Sequence, residues 1–158
     1  LKGRAIARIH AKVHPMGMVN AGIANPQNPL ESKFSIPHCI ALALSGYRLN
    51  DTDFTQQTVD DPAPRQLLSR LQIDAVEGQS ASSAFIDIEL EDGETLHAET
   101  DVYRGHPQNP LTDAELRAKF DALTIPVLGE ARSDRLYQAA FHFEQPGSLA
   151  ALTELLAG

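Results

Sequence analysis

The chain opens on an alternation of apolar and polar positions. From Arg4 to His14, Ala5, Ala7, Ile9, Ala11 and Val13 alternate with Arg8, His10, Lys12 and His14, the period of two that a half-buried strand requires. Ile6 alone breaks it. Residues 15–30, PMGMVNAGIANPQNPL, are rich in proline, glycine and asparagine and predict a loop. The period then changes. In SKFSIPHCIALALSG (32–46) and just beyond, Ile36, Cys39, Ile40, Ala43, Leu44 and Tyr47 recur at helical spacing and lay one apolar stripe on a helix. Ser35 is placed to cap that helix, Pro37 sits in its first turn and Gly46 is a natural stop.

Short helices are expected over 51–59 and 61–71, capped by Asp51 and Asp61, with an extended segment through Leu71, Ile73 and Ala75. Farther on, Ile86, Ile88 and Leu90 alternate with Asp87 and Glu89, Asp92-Gly93 turns the chain, and Leu96, Ala98, Thr100 and Val102 resume the alternation. This predicts a hairpin. After RGHPQNPL, Thr112 and Glu115 have the spacing of a capping box, with Leu116, Phe120 and Leu123 on one face of the helix it starts. Helices over about 130–143 and 147–157 complete the chain. The order predicts an α+β fold: a two-layer sandwich of an antiparallel or mixed sheet of about four strands, with helices on one face. The C-terminal helices carry more apolar side chains than so small a sheet needs, so residues 126–158 read as a segment that packs on something outside this chain.

Length and composition narrow the picture. A chain of 158 residues with 42% hydrophobic and 22% charged positions is about one globular domain. The formal charge of −8 gives no bulk attraction for nucleic acid or an anionic membrane, so neither is expected as a partner. An acidic ligand would need a local basic pocket. The lone cysteine, Cys39, has no internal disulfide partner, and no signal peptide or membrane span is legible, so the expected location is the cytoplasm. Beginning without Met and almost at once in a strand, the chain reads as cut from a longer protein.

Three places could carry chemistry. His10 and His14 lie four apart, but on a strand that is about 13 Å, too far to share a metal ion, and no metal site is expected. Lys33, Ser35 and His38 stand at a helix start, where backbone N–H groups and the helix dipole favour an anion such as a carboxylate and push a histidine toward its neutral form. Alternatively, Ser35 only caps, Lys33 is solvated and His38 lies on the polar side of the helix. Arg104 and His106, in a loop stiffened by prolines, either face a carboxylate or merely connect a strand to a helix. Cys39 reads as a small core residue, and no phosphate-binding glycine loop, G-x-S-x-G or H-E-x-x-H occurs.

Two stretches add a resemblance. NPQNPLESKFSIPHCIALALSGYRLNDTDF and VYRGHPQNPLTDAELRAKFDAL, in this order and with a hairpin between them, resemble segments of the MmgE/PrpD family, which includes 2-methylcitrate dehydratase. The resemblance covers about residues 4–125 and implies the smaller α+β lid domain (1–125) of an enzyme whose active site lies in a cleft against a large helical domain absent from this chain. It further implies a lyase-like enzyme without cofactor, acting on a di- or tricarboxylate such as 2-methylcitrate by dehydration, decarboxylation or epimerisation. The partners implied are a small carboxylate and the parent protein's helical domain, with a homodimer allowed. In this scheme Lys33 and Ser35 bind substrate, His38 donates or accepts a proton, and Arg104 and His106 are further carboxylate-binding candidates. Where decarboxylase-like members have an active-site tyrosine, this chain has His38, so the same reaction does not follow automatically. The family's acid and base residues of the helical domain, and the lysine and histidine before the lid's first strand, have no counterpart here, so the fragment alone is expected to be inactive. The competing reading is a stand-alone small-acid-binding or regulatory module without catalysis.

Overall fold

The computed structural model describes residues 3–157 and divides into two compact units, one ending at Tyr103 and the other beginning at Arg104. The first holds β1 (Ile6–Val13), α1 (Pro15–Ala21), α2 (Pro29–Lys33), α3 (Ile36–Leu44), a 3-10 turn at Asp51–Asp53, α4 (Gln56–Asp60), α5 (Pro62–Leu68), β2 (Leu71–Ala75), β3 (Ala84–Leu90) and β4 (Thr95–Thr100). The strands form one mixed sheet in the order β2-β1-β3-β4, with β1 parallel to β2 and antiparallel to β3. Ile6, Ile9, Ile88 and Leu90 make its buried face, and Ile40, Leu44 and Leu67 from α3 and α5 pack against it. The other face carries Arg8, His10, Lys12, Asp87 and His97. This is the α+β sandwich that the alternation and the helical stripe predict.

Ile6, the misfit in the alternation, is explained by the register. Ile6 pairs with Leu90 and Arg8 with Glu89, so Ala7 is an extra residue in the ladder. Such a bulge turns the strand by one side chain, which brings Ile6 back to the buried face at 6% exposure. In the hairpin, Gly93 donates its N–H to Leu90 C=O and Leu90 N–H reaches Glu94 C=O. Gly93 sits at φ 89°, so the turn is a three-residue loop whose last residue needs the left-handed conformation.

Residues 15–30 are not all loop. Pro15 fits the first position of α1, and His14 caps it, its Nδ1 accepting from Met16 N–H. His14 therefore leaves the strand. The helix expected over 51–59 breaks at Phe54, and α4 restarts at a Thr55–Thr58 capping box. Asp61 caps α5 as expected, but α5 stops at Leu68 because Leu71 is needed opposite Ile9 in the parallel ladder.

The second unit contains α6 (Asp113–Leu128), α7 (Glu130–Phe141) and α8 (Ser148–Leu156). Thr112 and Glu115 form the predicted capping box. Leu136 is buried, and Tyr137 lies between Phe120 and Phe141, each ring 5.2 Å away. Leu116, Leu123, Val127, Phe141, Phe143, Leu149 and Leu156 are exposed. Among the described residues no helix is long and apolar enough to cross a membrane.

Candidate functional site at the α2–α3 corner

Two short helices meet in the segment that the sequence singles out. Asn28 caps α2 by accepting from Glu31 N–H at 3.0 Å, and the five-residue helix ends at Phe34. Ser35 starts the next one. Its Oγ accepts from His38 N–H at 3.1 Å and donates to Ile23 C=O at 2.5 Å. The residue is completely buried. The predicted cap is thus present, and the hydroxyl's one proton is engaged inside the domain.

His38 does not lie on a polar helix side. Its exposure is 1%, because α3 is covered twice. Ile40 and Leu44 face the sheet core, while Pro37, His38, Ala41 and Leu42 are buried among the elements that α3 contacts besides the sheet, namely α1, α2 and α5. Ala43, expected in the apolar stripe, is exposed. Nδ1 of His38 is hydrogen bonded to Ser32 Oγ at 2.7 Å, and Ser32 is itself fully buried. Nε2 is buried with no hydrogen-bond partner among the described residues. Burial pushes the imidazole below its ordinary pKa, and the Arg65 cation adds to the shift. Desolvation disfavours the charged form of a base, so His38 is neutral at pH 7.

Lys33 points elsewhere. It closes α2, its Nζ reaches Asp51 Oδ1 at 2.5 Å, and it lies 5.7 Å from the centre of the Phe54 ring. Its charge is therefore held in an exposed ion pair. Cys39 is half-buried, and burial raises its thiol pKa, which suits an inert packing residue.

Arg104 and His106 belong to the second unit. Arg104 embraces Glu115 through Nε, at 3.1 Å, and Nη2, and gives Nη1 to Asn109 Oδ1 at 2.8 Å. This guanidinium, with the Thr112 hydroxyl and N–H, holds the Glu115 carboxyl down at about 2. In the same loop His106 Nδ1 accepts from Gln108 N–H, and Asn109 N–H reaches His106 C=O. The loop's polar groups are thus engaged by bonds inside the unit.

The five candidates therefore fall into two groups, one at the α2–α3 corner and one ahead of α6. Within the corner, His38 is the residue with an uncommitted polar atom. Spacing did not reveal its neighbours Ser32 and Arg65, which reach it across helix junctions. A concavity of about 600 Å³ over the uncovered sheet face is lined by His10, Lys12, Phe85, Asp87 and His97 among others, and none of the five candidates lines it. There His10 pairs with Asp74 and His97 with Asp87, each at 2.7 Å. No cluster of three or more metal-ligating side chains occurs among the described residues.

A four-stranded mixed sheet backed by short capped helices, with a buried histidine at the junction of two of them, makes an α+β domain. Residues 2–143 match the MmgE/PrpD C-terminal domain, and the chain belongs to that family. It is similar to the cis-aconitate decarboxylase of Mus musculus, 27% identical over 97% of this chain and 32% of the relative. The human cis-aconitate decarboxylase is 24% identical over the same shares. The chain thus spans about a third of the length of these curated relatives.

Proposed function

We propose that this chain is the C-terminal domain of a cofactor-free lyase acting on a di- or tricarboxylate, and that it presents the α2–α3 corner to a cleft completed by the rest of the parent protein. The observation that carries this reading is the family match over residues 2–143, joined to relatives named for the decarboxylation of cis-aconitate. Such reactions pass through charge developing next to a carboxylate, and they need a group that gives or takes a proton near neutral pH. His38 is the proposed group. It is neutral at pH 7, and its Nε2 is uncommitted. Because Nε2 is covered in this domain, its part in the reaction requires the segments over it to move aside. Lys33 and Arg104 would meet substrate carboxylates by exchanging them for Asp51 and Glu115, and His106 stands beside Arg104. Ser35 acts through the position of α3. The homodimer and the helical-domain partner belong to the same proposal.

The test uses the full-length parent protein with cis-aconitate and with 2-methylcitrate, following the absorbance of unsaturated acids. Turnover of either supports the reading. A folded full-length protein that turns over neither acid overturns it. Binding of the acids without turnover would support a non-catalytic acid-binding module instead.

A further inference from the structure

Little that is buried attaches α2 to the rest of its unit. Of its five residues only Ser32 is buried, while Leu30 is 66% exposed and Lys33 is held in a surface ion pair. Among the described residues the Ser32 hydroxyl has one hydrogen-bond partner, His38 Nδ1 at 2.7 Å. That single bond suits a neutral ring, whichever nitrogen carries the proton. With the N–H on Nδ1 the Ser32 O–H has no acceptor, and with it on Nε2 that N–H has none, so one buried donor is idle in each case. Protonation turns both nitrogens into donors. Nδ1–H then occupies Ser32 Oγ, and the Ser32 O–H and Nε2–H are both left without acceptors around a charge cut off from water. The charged groups on the surrounding elements do not offset this. α1 carries none, and its cap His14 accepts from Met16 N–H. On α2, Glu31 is engaged by Gln27 N–H and the Asn28 amide, and Lys33 by Asp51. On α5, the cap Asp61 accepts from Ala63 N–H and the Tyr47 hydroxyl, and the Arg65 cation opposes a second positive charge on the ring. The sheet face beneath α3 is apolar, built from Ile6, Ile9, Ile88 and Leu90.

We propose that the Ser32–His38 bond is an acid-released latch: protonation of His38 frees α2 from α3, so that pH controls when this corner opens. The strain of a charged ring falls on the one buried residue of α2, and a five-residue helix with no other buried side chain is the element that gives way. Opening lets water and solvent acceptors reach the imidazolium, which restores the ordinary affinity of the ring for its proton. The latch stands on the packing of the corner alone. Its use in binding rests on the reading that His38 meets substrate, since a corner opened by a proton presents a cationic ring to a carboxylate.

The experiment is hydrogen–deuterium exchange of the full-length protein between pH 7 and pH 5.5, read by mass spectrometry on peptides from α2, β1 and β3, for the wild type and His38→Gln. Taking the wild-type to variant ratio at each pH removes the intrinsic pH dependence of exchange and the titration of His14 and every other shared group. With a pKa near 6.5 in the open form, the α2 ratio should rise about eightfold from pH 7 to pH 5.5, while the β1 and β3 ratios stay flat. Ser32→Ala, which removes the latch without touching the ring, should raise α2 exchange already at pH 7. A flat α2 ratio overturns the latch. So does an equal rise in β1 and β3, which marks global unfolding, and so does unchanged α2 exchange in Ser32→Ala. If the α2 ratio rises but the full-length protein turns over neither cis-aconitate nor 2-methylcitrate, the latch stands and the lyase reading falls; turnover with a flat ratio does the reverse.

Discussion

Ser35→Ala separates a cap from a substrate ligand. In the folded chain Ser35 Oγ makes two bonds, accepting from His38 N–H at 3.1 Å and donating to Ile23 C=O at 2.5 Å. Removing an N-cap hydroxyl costs about 1 kcal/mol. Losing the bond to Ile23, a residue that water still reaches at 37% exposure, adds about 1 kcal/mol. The sum is about 2 kcal/mol, which for a chain of this length lowers Tm by about 4–8 °C. Thermal unfolding of the 158-residue chain by circular dichroism measures it, with Ser35→Thr as the control that keeps both bonds and stays near the wild-type Tm. Steady-state kinetics of the full-length protein at a temperature where the variant is folded should show KM close to the wild type. An unchanged Tm together with a large rise in KM would refute the cap reading and return Ser35 to the substrate.

Two further outcomes are expected. Ile9→Ala, at the centre of the sheet with no exposure, should cost about 2–5 kcal/mol by cavity formation, and denaturant unfolding checks this through a lower midpoint. His38→Leu should flatten the acid side of the stability curve. The folded His38 pKa lies below its ordinary value, near 6.5 in the unfolded chain, so on lowering the pH through about 6.5 the unfolded state takes the proton first and the wild type loses stability relative to the variant. His97 acts oppositely, since Asp87 and Glu99 raise its pKa. Its contribution is present at low pH and lost as pH rises through the folded value, which is why the wild-type minus variant difference is the quantity to measure. A difference that stays constant from pH 7 to pH 5 would refute the assignment.

Much of the fold was legible because local signals agreed with tertiary needs. The hairpin around Gly93, the Ser35 cap, the Thr112–Glu115 capping box and the alternation through Ile9 and Ala11 are encoded within a few residues, and they appear as expected. Ile6 was unreadable, because a bulge is set by the partner strand: only the pairing with Leu90 explains why two adjacent positions trade faces. The helix α1 was hidden by its own glycine and asparagine content, and a proline first position with a histidine cap made it viable. At the candidate corner the sequence names residue types but not their arrangement. Helical spacing sees one element at a time, whereas His38 is buried by packing from several, and Ser32 reaches it from a different helix. Lys33 and Arg104 drew notice as cations, yet their partners Asp51 and Glu115 lie 18 and 11 residues away, beyond any local pattern.

β1 is the first strand in the chain and lies inside the sheet, with β2 on one side and β3 on the other. Its neighbours arrive late in synthesis: five helices and a turn separate it from β2, and β3 follows only after that. Closing such long loops is slow relative to forming the local helices. During translation Ile9 therefore waits in a nascent chain with an unpaired, apolar strand, and β1 can be flanked on both sides only after Leu90 has left the ribosome. The vulnerable interval for aggregation of this domain is set by that wait.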